Sequence, residues 1–409
     1  MIANLPSKAL VIKDLNFSIN ETAILKAINL EIKTGEFVGL IGPNGAGKTT
    51  LLKCMNGIIK GKGIVEIRGQ KLEFMSYKSI ARKVALMHQN TSITFPFRVI
   101  DVVLAGRYPY LNRISGETRE DYSIARRNMG YTDTLKFETR PITQISGGER
   151  QKVLFAKVLT QETDLILLDE PAASLDIAHE EQIFKYSCEM CKTGKTVIAA
   201  VHDLKTASRY CTKLVLMKDG CIIANGAPEE VLTSENLSLA YGVSALVYKN
   251  RITGLLDFHI HGNEMNKHGK SIHVIGGGGS AAGIMRLLFE NGFKITAGVF
   301  GHGDSDLNCA EVFGIKCLVC HPFSEIDEES CQANIDIIQK ADMTILCDMP
   351  FGIQNYRNLE AAQYAQKLII IEEDDPSGRD FTGGRALEIY MKLRSNAVVS
   401  TLARLHEVL

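Results

Sequence analysis

The segment that most constrains this chain is Gly42-Pro43-Asn44-Gly45-Ala46-Gly47-Lys48-Thr49-Thr50, a match to G-x-x-x-x-G-K-[ST]. Its neighbours fit as well. The apolar run Phe37–Ile41 has the length of a strand, and Leu51-Leu52-Lys53-Cys54-Met55 continues as an amphipathic helix. Strand, glycine-rich loop and helix N-terminus together make an anion site. Successive backbone N–H groups point into the loop, and the helix dipole adds partial positive charge. Lys48 then reaches the terminal phosphates of a nucleotide, and the Thr49 hydroxyl ligates Mg²⁺. Gly42, Gly45 and Gly47 keep side chains from blocking phosphate, with Asn44 and Thr50 completing the cradle.

The chain has 409 residues, long enough for two or three domains. A formal net charge of -1 gives no basic field to favour nucleic acid. The first six residues do not read as a signal peptide. No apolar run approaches the roughly 20 residues of a membrane span. Ten cysteines without a secretion signal suggest reduced thiols in the cytosol.

Short apolar runs at 65–68, 84–88, 165–168, 197–201 and 214–217 alternate with helical patterns. That alternation predicts a mostly parallel sheet with helices on both faces. Residues 117–159 read as a helical insertion. The run Leu165-Ile166-Leu167-Leu168 ends in Asp169-Glu170-Pro171. Two carboxylates thus emerge at the carboxyl end of a buried strand, where ligands bind in open α/β sheets. Asp169 is placed to hold Mg²⁺ through water, and Glu170 to polarise an attacking water as general base. Ile145-Ser146-Gly147-Gly148-Glu149 opens another helix, with a Ser hydroxyl and free N–H groups facing an anion.

With these motifs in this order, residues 8–250 resemble the nucleotide-binding subunit of ATP-binding-cassette (ABC) transporters. The resemblance implies the following assignments. Gly42–Thr49 is the phosphate loop, and Gln89 is the glutamine that approaches Mg²⁺ and the attacking water. Ser146 and Gly148 belong to the signature, with Ile145 where Leu is usual. Asp169 holds the metal and Glu170 is the catalytic glutamate. Asp176 ends the loop Ser174-Leu175-Asp176, and His202 contacts the γ-phosphate. Two copies would sandwich two ATP molecules, so Ser146 and Gly148 would act across a homodimer. The family stacks adenine on an aromatic residue, but here Ile19 stands at that position, with Phe17 nearby. Residues 99–110, Lys218-Asp219-Gly220 and 226–232 are similar to importers of iron–siderophore, haem and cobalamin. That likeness implies a membrane permease, an external binding protein, and a place on the cytoplasmic face of the membrane. The rival reading is a soluble ABC ATPase without a transporter.

Residues 251–270 read as a linker, in which Asp257, His259, His261 and His268 have no diagnostic metal-binding spacing. From residue 271 the alternation restarts. Strands are predicted at 271–275, 294–300, 316–319, 343–347 and 367–371, and helices at 281–290, 307–313, 329–340, 359–366 and 384–393. This is a small doubly wound domain of Rossmann or flavodoxin type. Its strands end in Gly276-Gly277-Gly278-Gly279-Ser280, in Asp304 and Asp306, and in Asp348. Those positions suit phosphate plus ribose hydroxyls, although Ala281 or Ala282 falls at the third glycine of G-x-G-x-x-G. Extensions of this kind are found on some importer ATPases of anaerobic microbes. A weaker likeness runs to lysine-decarboxylase-like phosphoribohydrolases, whose second glycine motif is absent. The domain reads as regulatory, with an enzyme acting on the cargo or a nucleotide as alternative. Cys317-Leu318-Val319-Cys320-His321 matches the c-type haem pattern, but on a strand residues three apart face opposite sides.

Overall fold

In the computed structural model, residues 7–88, 93–111, 116–171, 176–250, 253–261, 269–322 and 324–409 are described. The chain divides into two compact units, 1–242 with 249–257, and 243–248 with 258–409. Each is taken by itself.

The first unit holds two sheets. Strands β1 (Lys8–Ile19), β2 (Thr22–Lys33), β4 (Lys62–Ile67) and β5 (Gln70–Lys71) form an antiparallel sheet in the order β2-β1-β4-β5. Strands β3 (Phe37–Ile41), β6 (Val84–Met87), β7 (Leu165–Asp169), β8 (Thr196–Ala200), β9 (Lys213–Lys218) and β10 (Cys221–Gly226) form the second, ordered β10-β9-β3-β8-β7-β6. Strand β10 runs antiparallel at its edge, and the other five are parallel. Every residue of β3, β7 and β8 is buried, as expected of strands covered on both faces. The run at 65–68, expected in the parallel sheet, falls instead mostly in β4 of the antiparallel sheet, which adds a layer beyond the parallel core. In β2, Ile28, Leu30 and Ile32 are buried while Asn29, Glu31 and Lys33 are exposed. That alternation of period two marks a strand with one wet face.

The helix Lys48–Met55 lies in the core between these sheets. Leu51, Leu52 and Met55 are fully buried against Leu10, Ile12 and Ile32 of one sheet and Val38 and Leu40 of the other. Each such side chain contributes about 1.5–3 kcal/mol on burial. The phosphate loop is therefore anchored on a helix held by core packing. The expected insertion at 117–159 contains helices Arg119–Tyr131 and Gly147–Thr160, with the helix Val99–Leu104 packed beside them. Buried Arg107 holds its base through Asp121 at 2.8 Å and Glu162 at 2.9 Å.

Residues 251–270, read as a linker, contain strand β12 (Leu256–His261), which pairs with β11 (Ser244–Lys249). The division between units falls within this hairpin. The second unit carries β13 (Ser271–Ile275), β14 (Lys294–Gly301), β15 (Lys316–Cys320), β16 (Met343–Leu346), β17 (Leu368–Ile371) and β18 (Val398–Ser400). All run parallel, in the order β15-β14-β13-β16-β17-β18. Numbered within the unit this is 3-2-1-4-5-6, the Rossmann rather than the flavodoxin order. The sixth strand, of three residues, was too short to register as a pattern.

Candidate functional site

The glycine-rich loop closes on its own lysine. Lys48 Nζ donates to the carbonyls of Gly42 at 2.7 Å and Pro43 at 3.1 Å. Lys48 is buried, which lowers its pKa, while Glu170 and Asp169 act against that shift. The loop needs glycine for two separate reasons. At Gly42, φ is +141° and a Cβ would lie 2.1 Å from the Met217 carbonyl oxygen. At Gly45, φ is +83° and nothing stands within 4 Å, so its backbone faces open space with Asn44 exposed beside it. Gly47 precedes the helix with φ 100°. Thr50 lies half-buried in the first helical turn.

Two further segments converge on this loop, ending in Asp169-Glu170 and in His202. Thr49 Oγ1 donates to Asp169 Oδ1 at 2.9 Å across 120 residues of sequence. Burial raises the Asp169 pKa and Glu170 adds to this, while the Thr49 hydrogen bond lowers it. Glu170 takes a left-handed backbone, φ 50°, uncommon for a residue with a side chain. Its carboxylate pairs with His202 Nε2. Glu170 and His202 line a cavity of about 130 Å³ with Glu180 and Asp203. Burial raises the Glu180 pKa, and Asp203 adds to it. The Thr49 hydroxyl and the Asp169 carboxylate are oxygen donors of the kind hard cations such as Mg²⁺ prefer, while the loop N–H groups suit phosphate oxygens.

Two neighbours had no sequence signal. The Tyr241 hydroxyl accepts from the Gly42 backbone, and burial pushes its pKa up to about 12. His88 lies near Asp169 and Lys53, its pKa lowered chiefly by burial. Gln89, the next residue, is outside the described residues, as are Ser174 and Leu175.

Ser146, Gly148 and Asp176 are not gathered into this cluster. Ser146 caps helix Gly147–Thr160 in a reciprocal box: its N–H donates to Glu149 Oε2 at 2.8 Å, and its Oγ accepts from Glu149 N at 3.3 Å. It remains exposed, with Gly148 half-buried behind it. Asp176 caps helix Ile177–Lys192 through His179, which holds the Asp176 carboxyl below its usual range. Ile19 is 51% exposed at the end of β1, whereas Phe17 packs against the core.

In the second unit the glycine-rich turn does not present free amides. Gly278 N donates to both Asp304 carboxylate oxygens, at 3.2 and 3.1 Å. Asp306 is fully buried and accepts from Gly279 N at 3.2 Å, Ala281 N at 3.1 Å and Ala282 N at 2.9 Å. The chain's own carboxylates thus sit at the helix N-terminus, where the dipole favours negative charge. Ser280 Oγ is spent on the Gly277 carbonyl at 2.9 Å. Asp348 lies 2.9 Å from Arg379. This differs from the expected phosphate cradle. Gly276 does play a tight-packing part, since a Cβ there would lie 2.4 Å from Ala281 Cβ. Ala281 therefore occupies the third position of G-x-G-x-x-A at close quarters.

Among the described residues no group of three or more His, Cys, Asp or Glu side chains could hold a metal. Asp257 pairs with Lys205 and His259 with Glu290. His268 and the His261 side chain are outside the described residues. Cys317 and Cys320 join different apolar clusters, on opposite faces of β15, and burial raises both thiol pKa values. No helix among the described residues is long and apolar enough to cross a membrane.

Comparison with known proteins bears on this geometry. The ABC transporter family model matches residues 25–173, and the MJ0874 family model matches residues 295–409. The chain is 35% identical to a cobalamin import ATP-binding protein of Halobacterium salinarum, over 77% of this chain and 79% of that one. An alignment of 317 residues cannot be held within the first 257, so it continues into the second unit. A hemin import ATP-binding protein of Deinococcus radiodurans is 37% identical over 60% of this chain and 94% of its own. Among solved structures, a candidate metal-chelate-type ABC transporter in an inward-facing conformation matches at 26% identity and TM-score 0.55, covering 62% of this chain and 97% of that one.

Proposed function

The chain belongs to the ABC transporter ATPase family, and from that premise we propose that it hydrolyses ATP to drive import of a metal chelate through a membrane permease. The cargo class is a ferric siderophore, haem or cobalamin. One observation carries the reading most directly. Lys48, Thr49, Asp169, Glu170 and His202 come from three distant segments, yet meet at one end of the parallel sheet.

The chemistry follows from those positions. When ATP enters, its phosphates replace the Gly42 and Pro43 carbonyls as partners of Lys48 and take the loop N–H groups. Thr49 and, through water, Asp169 are the residues that would hold Mg²⁺, whose charge screens the β- and γ-phosphates. Glu170 orients the attacking water and draws off its proton. His202 exchanges its pairing with Glu170 for the γ-phosphate, and the exchange frees the general base when nucleotide binds. Ser146 is exposed, with Gly148 half-buried beside it, and we place both against the nucleotide of a second copy, with Asp176 at the same dimer interface. The family resemblance gives Gln89 the role of linking this site to the permease.

Phe95 and Phe97, 63% and 49% exposed with ring centroids 4.7 Å apart, follow Gln89 closely in sequence and supply an apolar docking surface for the permease. The protein is then peripheral, at the cytoplasmic face of the membrane. The second unit is regulatory, tuning ATPase rate by ligand occupancy. The test is reconstitution with its permease in vesicles and uptake of labelled cobalamin, haem and a ferric siderophore. ATP-dependent uptake of one of them is expected. ATP hydrolysis that no permease and no cargo stimulates would favour the soluble, non-transport alternative.

A further inference from the structure

The second unit contains a crevice of about 470 Å³ at the carboxyl ends of its strands. Gly276 and Gly277 follow β13, Gly301 ends β14 and Asp304 follows it, Cys320 ends β15 and Pro350 follows β16. It lies where the strand order reverses, the position at which doubly wound sheets bind ligands. Its volume is that of a small-molecule site.

The lining restricts the chemistry of an occupant. No Lys, Arg or His is among the described residues that line it, and Asp304 is its one charged side chain. The turn amides that would grip a phosphate already serve Asp304 and Asp306. A phosphate entering here would meet two carboxylates and displace three or more hydrogen bonds. The crevice therefore disfavours anions. What it offers is a hydrogen-bond acceptor and an apolar wall. Among the described residues, Asp304 Oδ1 accepts from Gly278 N and Asp306 N, whereas Oδ2 accepts from Gly278 N alone. An oxygen with spare lone pairs just after the second strand stands where this fold engages the hydroxyls of a ribose. At the lip, Phe381 is 70% exposed and Ile353 60% exposed, leaving an aromatic face for a planar ring.

We propose that this crevice binds the unphosphorylated nucleoside class: a neutral ribose whose hydroxyls meet Asp304, with its base against Phe381. The proposal rests on the reading of the second unit as a ligand-binding regulator, and it names the ligand's chemistry.

The test uses the full chain and equilibrium dialysis with adenosine, guanosine, cytidine and uridine, each beside its 5′-monophosphate and its 2′-deoxy analogue. Saturating ATP keeps the first site filled. At least one nucleoside is expected to bind at least tenfold more tightly than its monophosphate, and more tightly than its 2′-deoxy form. Phe381→Ala, at an exposed position that folding does not need, and Asp304→Asn should each weaken that binding at least tenfold. A monophosphate that binds as tightly as its nucleoside would overturn the proposal in favour of a phosphate cradle. Binding insensitive to both variants would place the site elsewhere, and no nucleoside binding would also refute it. The ATPase rate is read in the same samples. Nucleoside binding with an unchanged rate removes the regulatory reading and keeps the ligand class. A rate that responds to the transported chelate, with no nucleoside bound, does the reverse.

Discussion

His273 offers the sharpest quantitative check on the second unit. It is fully buried in β13, flanked in register by Thr296 of β14 and Thr344 of β16, with Nδ1 3.0 Å from Thr296 Oγ1. Burial lowers its pKa to about 4, against smaller opposing contributions from the Gly298 backbone and the Asn334 side chain. In the unfolded chain a histidine titrates near 6.5. The unfolded state therefore binds more protons between those values, and stability is complete above pH 6.5 and is lost as pH falls towards 4. At pH 5 the unfolded imidazole is about 97% protonated and the folded one about a tenth protonated. Linkage then removes about 2 kcal/mol relative to pH 7.5. The assay is urea unfolding with pulse proteolysis, reading peptides from residues 271–409, in wild type and in His273→Gln. The variant starts from a different stability, but its slope with pH lacks the histidine contribution. Wild type should lose about 2 kcal/mol more than the variant between pH 7.5 and 5. Equal losses, or an imidazole that titrates near 6.5 by NMR, would refute the assignment of a buried neutral ring.

Three other outcomes are expected. Glu170→Gln should bind ATP but lose turnover by about 10²–10⁴-fold, the range for a general base, and ATP should shift it to a dimer on size exclusion; Lys48→Ala should fail earlier, at ATP binding. Ile19→Tyr should tighten ATP by about 0.5–1.5 kcal/mol through a new aromatic contact, with less gain for GTP, measured by calorimetry; equal affinities would mean that the base sits away from Ile19. Asn358→Leu should destabilise the second unit by about 1–3 kcal/mol for each group left unpaired, because buried Asn358 holds both Val299 N and Val299 O at 3.1 Å; a thermal transition unchanged from wild type would rule that bracket out.

Much of the parallel core was legible because buried strands are written as uninterrupted apolar runs. Strand β7 is one such run, and its carboxylates follow from the chain leaving the sheet at Asp169. In the second unit the expected 271–275 and the observed β13 coincide, and the helix predicted at 329–340 is observed as Glu328–Lys340. The antiparallel sheet was not legible as a unit because its strands have one wet face, and β2 alternates cleanly only over 28–33, after Lys26 and Ala27 are both exposed. The hairpin β11–β12 was missed because Leu256–His261 mixes Asp and His with Leu, Phe and Ile, and reads as linker.

The sequence by itself determined the phosphate loop, the paired carboxylates and the order of motifs. These depend on local rules: glycines where φ is positive, a lysine six residues past the first glycine, acids at a strand's end. Only the tertiary structure decided how those groups are spent. His202 meets Glu170 from the adjacent strands β8 and β7, and Thr49 meets Asp169 across β8 from β3 to β7, all of them distant in the chain. The second unit makes the same point in the opposite direction. Gly276–Ser280 and the acids Asp304 and Asp306 read in sequence as two halves of a nucleotide site. In space the acids fold back onto the glycine amides and satisfy them. A backbone N–H takes whichever acceptor reaches it, and a carboxylate of the same chain, already tethered at the helix N-terminus, arrives with little further loss of entropy.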